Sequence, residues 1–162
     1  MNKTNFFHVM ISTGFGSGFC PIAPGTAGAI LAVIIWYLLS LVITGTPLFL
    51  ATLALVVVFT ALGVWSSGVM ETVWGKDPSR VVVDEMVGVW IPLLLVCDGN
   101  IWYGLAALIL FRLFDIFKPL GIRKMENLKG GWGIMFDDVL AGVYSLVVLE
   151  LIILAATRWL PA

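Results

Sequence analysis

Apolar residues fall into long blocks along the chain, separated by short polar stretches. The blocks run from Ala27 to Thr44, Leu48 to Met70, about Val81 to Cys97, Ile101 to Phe117 and Val139 to Thr157. Each approaches the roughly 20 residues that cross about 30 Å of hydrocarbon at 1.5 Å rise per residue. The pattern predicts five helices. Pro92 lies inside the third and would kink it, so that segment either spans or re-enters.

Composition sharpens this reading. Of 162 residues, 60% are hydrophobic and 12% charged, and the mean hydropathy is +1.06. A soluble domain averages roughly half apolar and a quarter charged. The fold class expected is therefore all-α, a multi-pass helical membrane protein with about five transmembrane or re-entrant helices. One domain is expected over 1–162: a cytoplasmic glycine-rich lead-in at 1–26 and a helical bundle at 27–157. The first apolar block begins too late, and after too many glycines and prolines, for a signal-peptide core, so no cleaved leader is expected. Net charge is −1 and no basic run is present, which argues against a nucleic-acid partner.

Charge distribution sets the orientation. Threading five spans leaves Lys3, Lys76, Arg80, Lys118, Arg123, Lys124 and Lys129 on one side and Arg158 on the other. By the positive-inside rule the first side is cytoplasmic. A re-entrant third segment would instead move the C-terminus inside. Cys20 and Cys97 are expected at opposite ends of the bundle, too far apart for a disulfide and without metal-ligand spacing.

The acids carry the candidate chemistry. Apart from Asp98 and Glu150, and from Asp77 and Glu126 in the connecting loops, they lie at or near the cytoplasmic ends of their spans: Glu71, Asp84 with Glu85, Asp115, and Asp137 with Asp138. Ionisable groups in spans are expensive and face a partner, a pathway or the bundle interior. Carboxylates gathered at one depth repel each other, and without a cation some would stay protonated. Mg2+ and similar hard cations bind one or a few carboxylates together with water and phosphate oxygens. Asp84, Glu85, Asp137 and Asp138, on separate helices, are candidate ligands. The alternative is that adjacent acids mark helix beginnings, where the dipole favours negative charge.

Arg112, Asp115 and Lys118 recur at three-residue intervals in "FRLFDIFKP", so Asp115 shares a helix face with each cation. They form either a plain salt bridge near the headgroups or a grip by Arg112 and Lys118 on an anionic headgroup, with Asp115 orienting the cations or joining the metal cage. "GFGSGFCPIAPGTAGA" (14–29) ends where the first span starts. Thr26 suits a helix N-cap, and Gly16, Ser17, Gly18, Gly25 and Thr26 together suit a phosphate cradle at the positive end of a helix. A flexible loop on the membrane is the alternative. A second glycine-rich turn, "KGGWGIMFDD", leads into the last acidic pair. His8 reads as a bystander. The chain lacks a C-x5-R or D-x-D motif, leaving carboxylates, a metal and cations to do any chemistry.

Taken together, "GFGSGFCPIAPGTAG", "VVDEMVGVW", "FRLFDIFKP" and "GGWGIMFDDVLAGVYS" closely resemble the bacterial phosphatidylglycerophosphatase A family, in its order and spacing, over about Thr13 to Tyr144. The resemblance implies a multi-pass inner-membrane, Mg2+-dependent phosphatase with a cytoplasmic site. Such an enzyme converts phosphatidylglycerophosphate to phosphatidylglycerol and phosphate. The family's D-E pair falls on Asp84 and Glu85, its F-D-x-x-K-P motif on Phe114 to Pro119, and its D-D-x-x-A-G on Asp137 to Gly142. Gly121 stands where the family commonly has a second proline. On this reading Asp84, Glu85, Asp115, Lys118, Asp137 and Asp138 are catalytic candidates, and Arg112 and Lys118 bind the substrate phosphate.

Two other classes fit less well. Transporters place polar groups near the midplane in repeated halves, whereas these acids hug one surface without a repeat; an assembly subunit is the related non-enzymatic reading. An alcohol phosphatidyltransferase would continue Asp98 and Gly99 into a longer acidic motif, but "NIWYG" follows.

Overall fold

A computed structural model describes residues 3–159, with side chains for 6–158 other than Glu126; the side chain of Lys3, and residues 1, 2 and 160–162 of the expected domain, lie outside it. The described chain is entirely helical and has six α-helices: α1 (Lys3–Ser12), α2 (Pro24–Ser40), α3 (Thr46–Trp74), α4 (Val83–Leu93), α5 (Ile101–Phe117) and α6 (Gly131–Trp159). Short 3-10 turns occur at Ser17–Phe19 and Ile122–Asn127.

Helix α4 is the centre. Among its 11 residues only Glu85 is not buried, and α2, α3, α5 and α6 all pack on it. Close approach relies on glycine. At Gly88 an added Cβ would strike the Phe111 ring, and at Gly28 it would sit 2.8 Å from Val82 Cβ. Pro92 contributes too: it has no N–H, so the carbonyl of Gly88 loses its helical partner. Gly142 of α6 packs onto that carbonyl, which an added Cβ would meet at 2.6 Å. Trp90 donates from Nε1 to the Ala32 carbonyl at 2.9 Å, tying α2 to the same core.

Two helices, α3 and α6, are long and apolar enough to cross a bilayer. Helix α2 is apolar but has 17 residues. At 1.5 Å per residue α4 extends about 16 Å, roughly half the hydrocarbon thickness. The third apolar block is thus a short buried helix followed by turns, rather than a regular spanning helix. The outward faces are apolar: Ile30, Ile34 and Leu38 on α2, Ile109 and Ile116 on α5, and Val147, Leu151 and Leu154 on α6 are all exposed.

The helix ends gather at two poles. At one, the Gly45 N–H donates to the Cys97 carbonyl at 2.8 Å and Gly99 lies against Ser40. At the other, α2, α4 and α6 begin while α3 and α5 end.

Three expectations are corrected. The lead-in contains a helix, α1, docked on α3; His8 is buried there, with Nδ1 3.1 Å from Ser66 Oγ, in keeping with a structural role. Thr26 does not cap α2. That helix starts at Pro24 after Ala23 (φ 50°), because proline at the first position forgoes an N–H that would have no partner there. "KGGWGIMFDD" is a helix from Gly131 onward rather than a turn. Gly131 lies so close to the Val64 carbonyl of α3 that any Cβ would collide with it.

Candidate active site

The pole where α4 begins collects the acids. Asp84 and Glu85 occupy the first turn of α4, and the Glu85 N–H donates to Asp84 Oδ1 at 3.0 Å. Asp138 approaches from the second turn of α6. Asp84, Glu85 and Asp138 each offer one carboxylate oxygen, all within 4.8 Å of one another. Asp84 and Asp138 are buried, with 8% and 4% exposure. Asp115, near the end of α5, turns its carboxylate toward Asp138.

Two cations flank this group. Arg112 Nη1 donates to Asp115 Oδ2 at 2.6 Å and stands 4.0 Å from Glu85 Oε1. Lys118 Nζ donates to Asp137 Oδ2 at 2.6 Å. Lys118 ends α5 in a left-handed conformation (φ 45°), which breaks the helix and lets its side chain reach across to α6. Adjacent helical residues point about 100° apart, since 3.6 residues make a turn. Asp138 therefore joins the carboxylates while Asp137 takes the lysine. Asp137, expected among the metal ligands, is not within the close trio.

Several polar atoms here are buried without hydrogen-bond partners: Glu85 Oε2, Asp137 Oδ1 and Arg112 Nε. Like-charged carboxylates held together out of water are unfavourable unless a cation or proton joins them. The donor set is all oxygen, which suits a hard divalent ion. Asp84, Glu85 and Asp138 fit such an ion.

The glycine-rich lead-in divides. Gly25, at the start of α2, abuts the cluster: a Cβ there would strike the Glu85 carboxylate and sit 3.3 Å from Arg112 Nη1. Gly16, Ser17 and Gly18 are engaged within their own loop. The Gly16 N–H donates to Thr13 Oγ1, Ser17 Oγ donates to the Thr13 and Gly14 carbonyls, and Gly18 packs on the Arg80 carbonyl. Thr26 is half-buried in the first turn of α2.

A cavity of about 360 Å³ opens beside the cluster, lined by Glu71, Lys76, Asp77, Leu128, Gly130, Gly133, Ile134 and Asp137. Glu71 was visible in the sequence as one of the acids on this side, but no spacing pattern joined it to Lys76 and Asp77.

Fold and site together define a helical protein that concentrates buried carboxylates and paired cations at one end of an apolar bundle. Residues 10–153 match the family model of phosphatidylglycerophosphatase A, and the chain belongs to that family. It is 35% identical to phosphatidylglycerophosphatase A of Escherichia coli over 94% of this chain and 86% of that one. Identity to phosphatidylglycerophosphatase A of Haemophilus influenzae is 39%, over 86% and 84% of the two chains. A Bacteroides thetaiotaomicron protein provisionally named a phosphatidylinositol-3-phosphatase is 59% identical over 98% of both chains. No solved structure matches.

Proposed function

We propose that the chain hydrolyses phosphatidylglycerophosphate to phosphatidylglycerol and inorganic phosphate, and that it depends on Mg2+. A water oxygen bonds to the phosphorus of the terminal phosphomonoester, the phosphorus–oxygen bond to the headgroup glycerol breaks, and the departing oxygen takes up a proton. The observation that carries this reading is the trio Asp84, Glu85 and Asp138 within 4.8 Å, flanked by Arg112 and Lys118. Family membership supports the substrate.

Asp84, Glu85 and Asp138 would hold the ion, which when bound supplies positive charge to the phosphoryl and leaving oxygens. The remaining work belongs to side chains that position and neutralise, the main contributions to phosphoryl-transfer catalysis. Arg112, oriented by Asp115, and Lys118, oriented by Asp137, neutralise non-bridging oxygens. Gly25 keeps α2 clear of the Glu85 carboxylate.

Direct attack by water and attack by the Asp84 carboxylate differ in whether phosphate is ever bonded to the protein. Acid quenching during turnover of lipid labelled with 32P in its terminal phosphate is expected to leave the protein unlabelled. A labelled protein whose phosphate is released by hydroxylamine would overturn the direct route in favour of an acyl-phosphate.

In this reading the bundle crosses the inner membrane five times, with the short α4 segment as the third crossing, and the carboxylate pole faces the cytoplasm. Lys76, Arg80, Arg123, Lys124 and Lys129 belong to the connections at that pole, whereas Arg158 lies near the far end of α6. Cys20 is exposed at the carboxylate pole. It is expected to resist an impermeant maleimide applied outside intact cells and to react once the membrane is opened.

The name carried by the Bacteroides thetaiotaomicron relative favours a second reading, hydrolysis of phosphatidylinositol 3-phosphate. Phosphate release from the two lipids by purified protein, with and without chelator, separates the readings. The expected result is chelator-sensitive release from phosphatidylglycerophosphate at the higher kcat/KM. Release from neither lipid would overturn both.

A further inference from the structure

The cavity beside the carboxylates has a graded lining. Its floor is buried: Gly133, Ile134 and Asp137. Glu71 stands half-buried on the wall, with Gly130 placed so that an added Cβ would sit 4.0 Å from its Oε2. At the rim Lys76 and Asp77 are exposed. They are carried on a loop that reverses at Gly75 (φ 91°) and Asp77 (φ 48°) and brings the end of α3 over the start of α6.

Two features give this lining a chemical preference. Its carboxylates offer acceptor oxygens, and on the floor Asp137 Oδ1 is buried without a hydrogen-bond partner while Oδ2 is held by Lys118. Unmet buried acceptors favour a ligand that brings hydroxyl donors. The one cation of the lining, Lys76, makes no ion pair among the described residues and is exposed at the rim beside Asp77. A group that enters should thus carry hydroxyls on its inner part and a negative charge on its outer part.

We infer that this cavity is the subsite for the headgroup polyol that links the scissile phosphate to the rest of the lipid, with Glu71 and Asp137 accepting its hydroxyls and Lys76 facing the outer phosphodiester. The inference rests on the proposed phosphatase activity and adds the source of its headgroup preference. Lys118, which would hold the phosphate, is bonded to Asp137, the residue shared by cluster and cavity. The polyol esterified to that phosphate would then have the cavity next to it. A lipid whose phosphomonoester sits directly on diacylglycerol has no polyol to place there, so Asp137 Oδ1 would remain unpaired. Sites built to bond a hydroxyl discriminate against ligands that lack it for this reason.

The test compares kcat/KM for phosphatidylglycerophosphate, phosphatidylinositol 3-phosphate and phosphatidic acid in mixed micelles, for wild-type protein and for the Glu71→Gln and Lys76→Ala variants. Wild-type protein is expected to prefer a polyol-bearing lipid over phosphatidic acid. Each variant is expected to lower that preference about tenfold, mainly through KM, the scale of one or two lost hydrogen bonds or ion pairs. A fall seen with phosphatidylglycerophosphate identifies glycerol as the occupant, and one seen only with phosphatidylinositol 3-phosphate identifies the inositol ring. Both support the subsite. A preference unmoved in both variants overturns it, as does wild-type hydrolysis of phosphatidic acid with equal efficiency, and in either case the phosphatase reading stands. Hydrolysis of none of the three lipids would overturn the phosphatase reading itself.

Discussion

The two poles of the bundle use the same residue types in opposite ways. At the pole where α5 begins, Asp98 is exposed and accepts from the Asn100 N–H at 3.0 Å, while Asn100 caps α5 by accepting from the Trp102 N–H. That acid serves its own loop. At the other pole, Asp84 and Asp138 are buried and face other carboxylates. Local geometry accounts for Asp98, whereas nothing in the stability of the bundle accounts for the trio, because gathering like charges in a dry site costs free energy. The difference separates an acid that organises its own loop from acids that together could hold a metal ion.

Removing the divalent ion or a ligand should break the comparison most sharply. Chelation, or Asp84→Ala or Asp138→Ala, is expected to lower phosphate release by roughly a thousandfold or more, the several kcal/mol that metal assistance supplies. Circular dichroism should remain helical. Added Mg2+ should raise the Tm of wild-type protein, as any ligand of the native state does, but not that of Asp84→Ala. Wild-type rates in either variant would remove the trio from the chemistry.

Next in size is the Lys118 and Asp137 pair. Lys118→Met is expected to reduce kcat by about a hundredfold, the scale of one lost electrostatic donor. Lys118→Arg should recover part of the loss, and failure of that rescue would argue that the pair is only structural. Gly25→Ala forces the Glu85 carboxylate to move, and the Mg2+ concentration giving half-maximal rate should rise about tenfold, as expected when ligand support is disturbed. Equilibrium Mg2+ binding measured by calorimetry should weaken in parallel. The smallest effect is reserved for the opposite pole: Asp98→Asn should change kcat/KM by less than about twofold, since exposed substitutions away from such features are nearly neutral.

Much of this asymmetry was legible in the chain. The placement of the acids on one side followed from block boundaries alone, and α5 occupies the residues of its apolar block, Ile101–Phe117. Other parts depended on tertiary contacts that leave no local pattern. Helix α1 has no strong amphipathic face and is held by contacts with α3 such as the one between His8 and Ser66. The start of α6 resembles a loop because it is glycine-rich, yet those glycines are what let its backbone lie on α3. The division of labour between Asp137 and Asp138 was within reach, because neighbours on a helix face different ways. It was obscured by placing the helix start at Val139, eight residues later than Gly131.

Because Asp84 and Glu85 form the first turn of a helix enclosed by four others, they cannot be re-aimed without dismantling the interior. The rim formed by Lys76 and Asp77 is exposed and bears on no part of that interior. In the proposed subsite that rim would meet only the outer part of a headgroup, while Asp137 on the floor is tied to Lys118, so exchanging the short loop after α3 would alter the outer half of headgroup choice and leave the floor as it is.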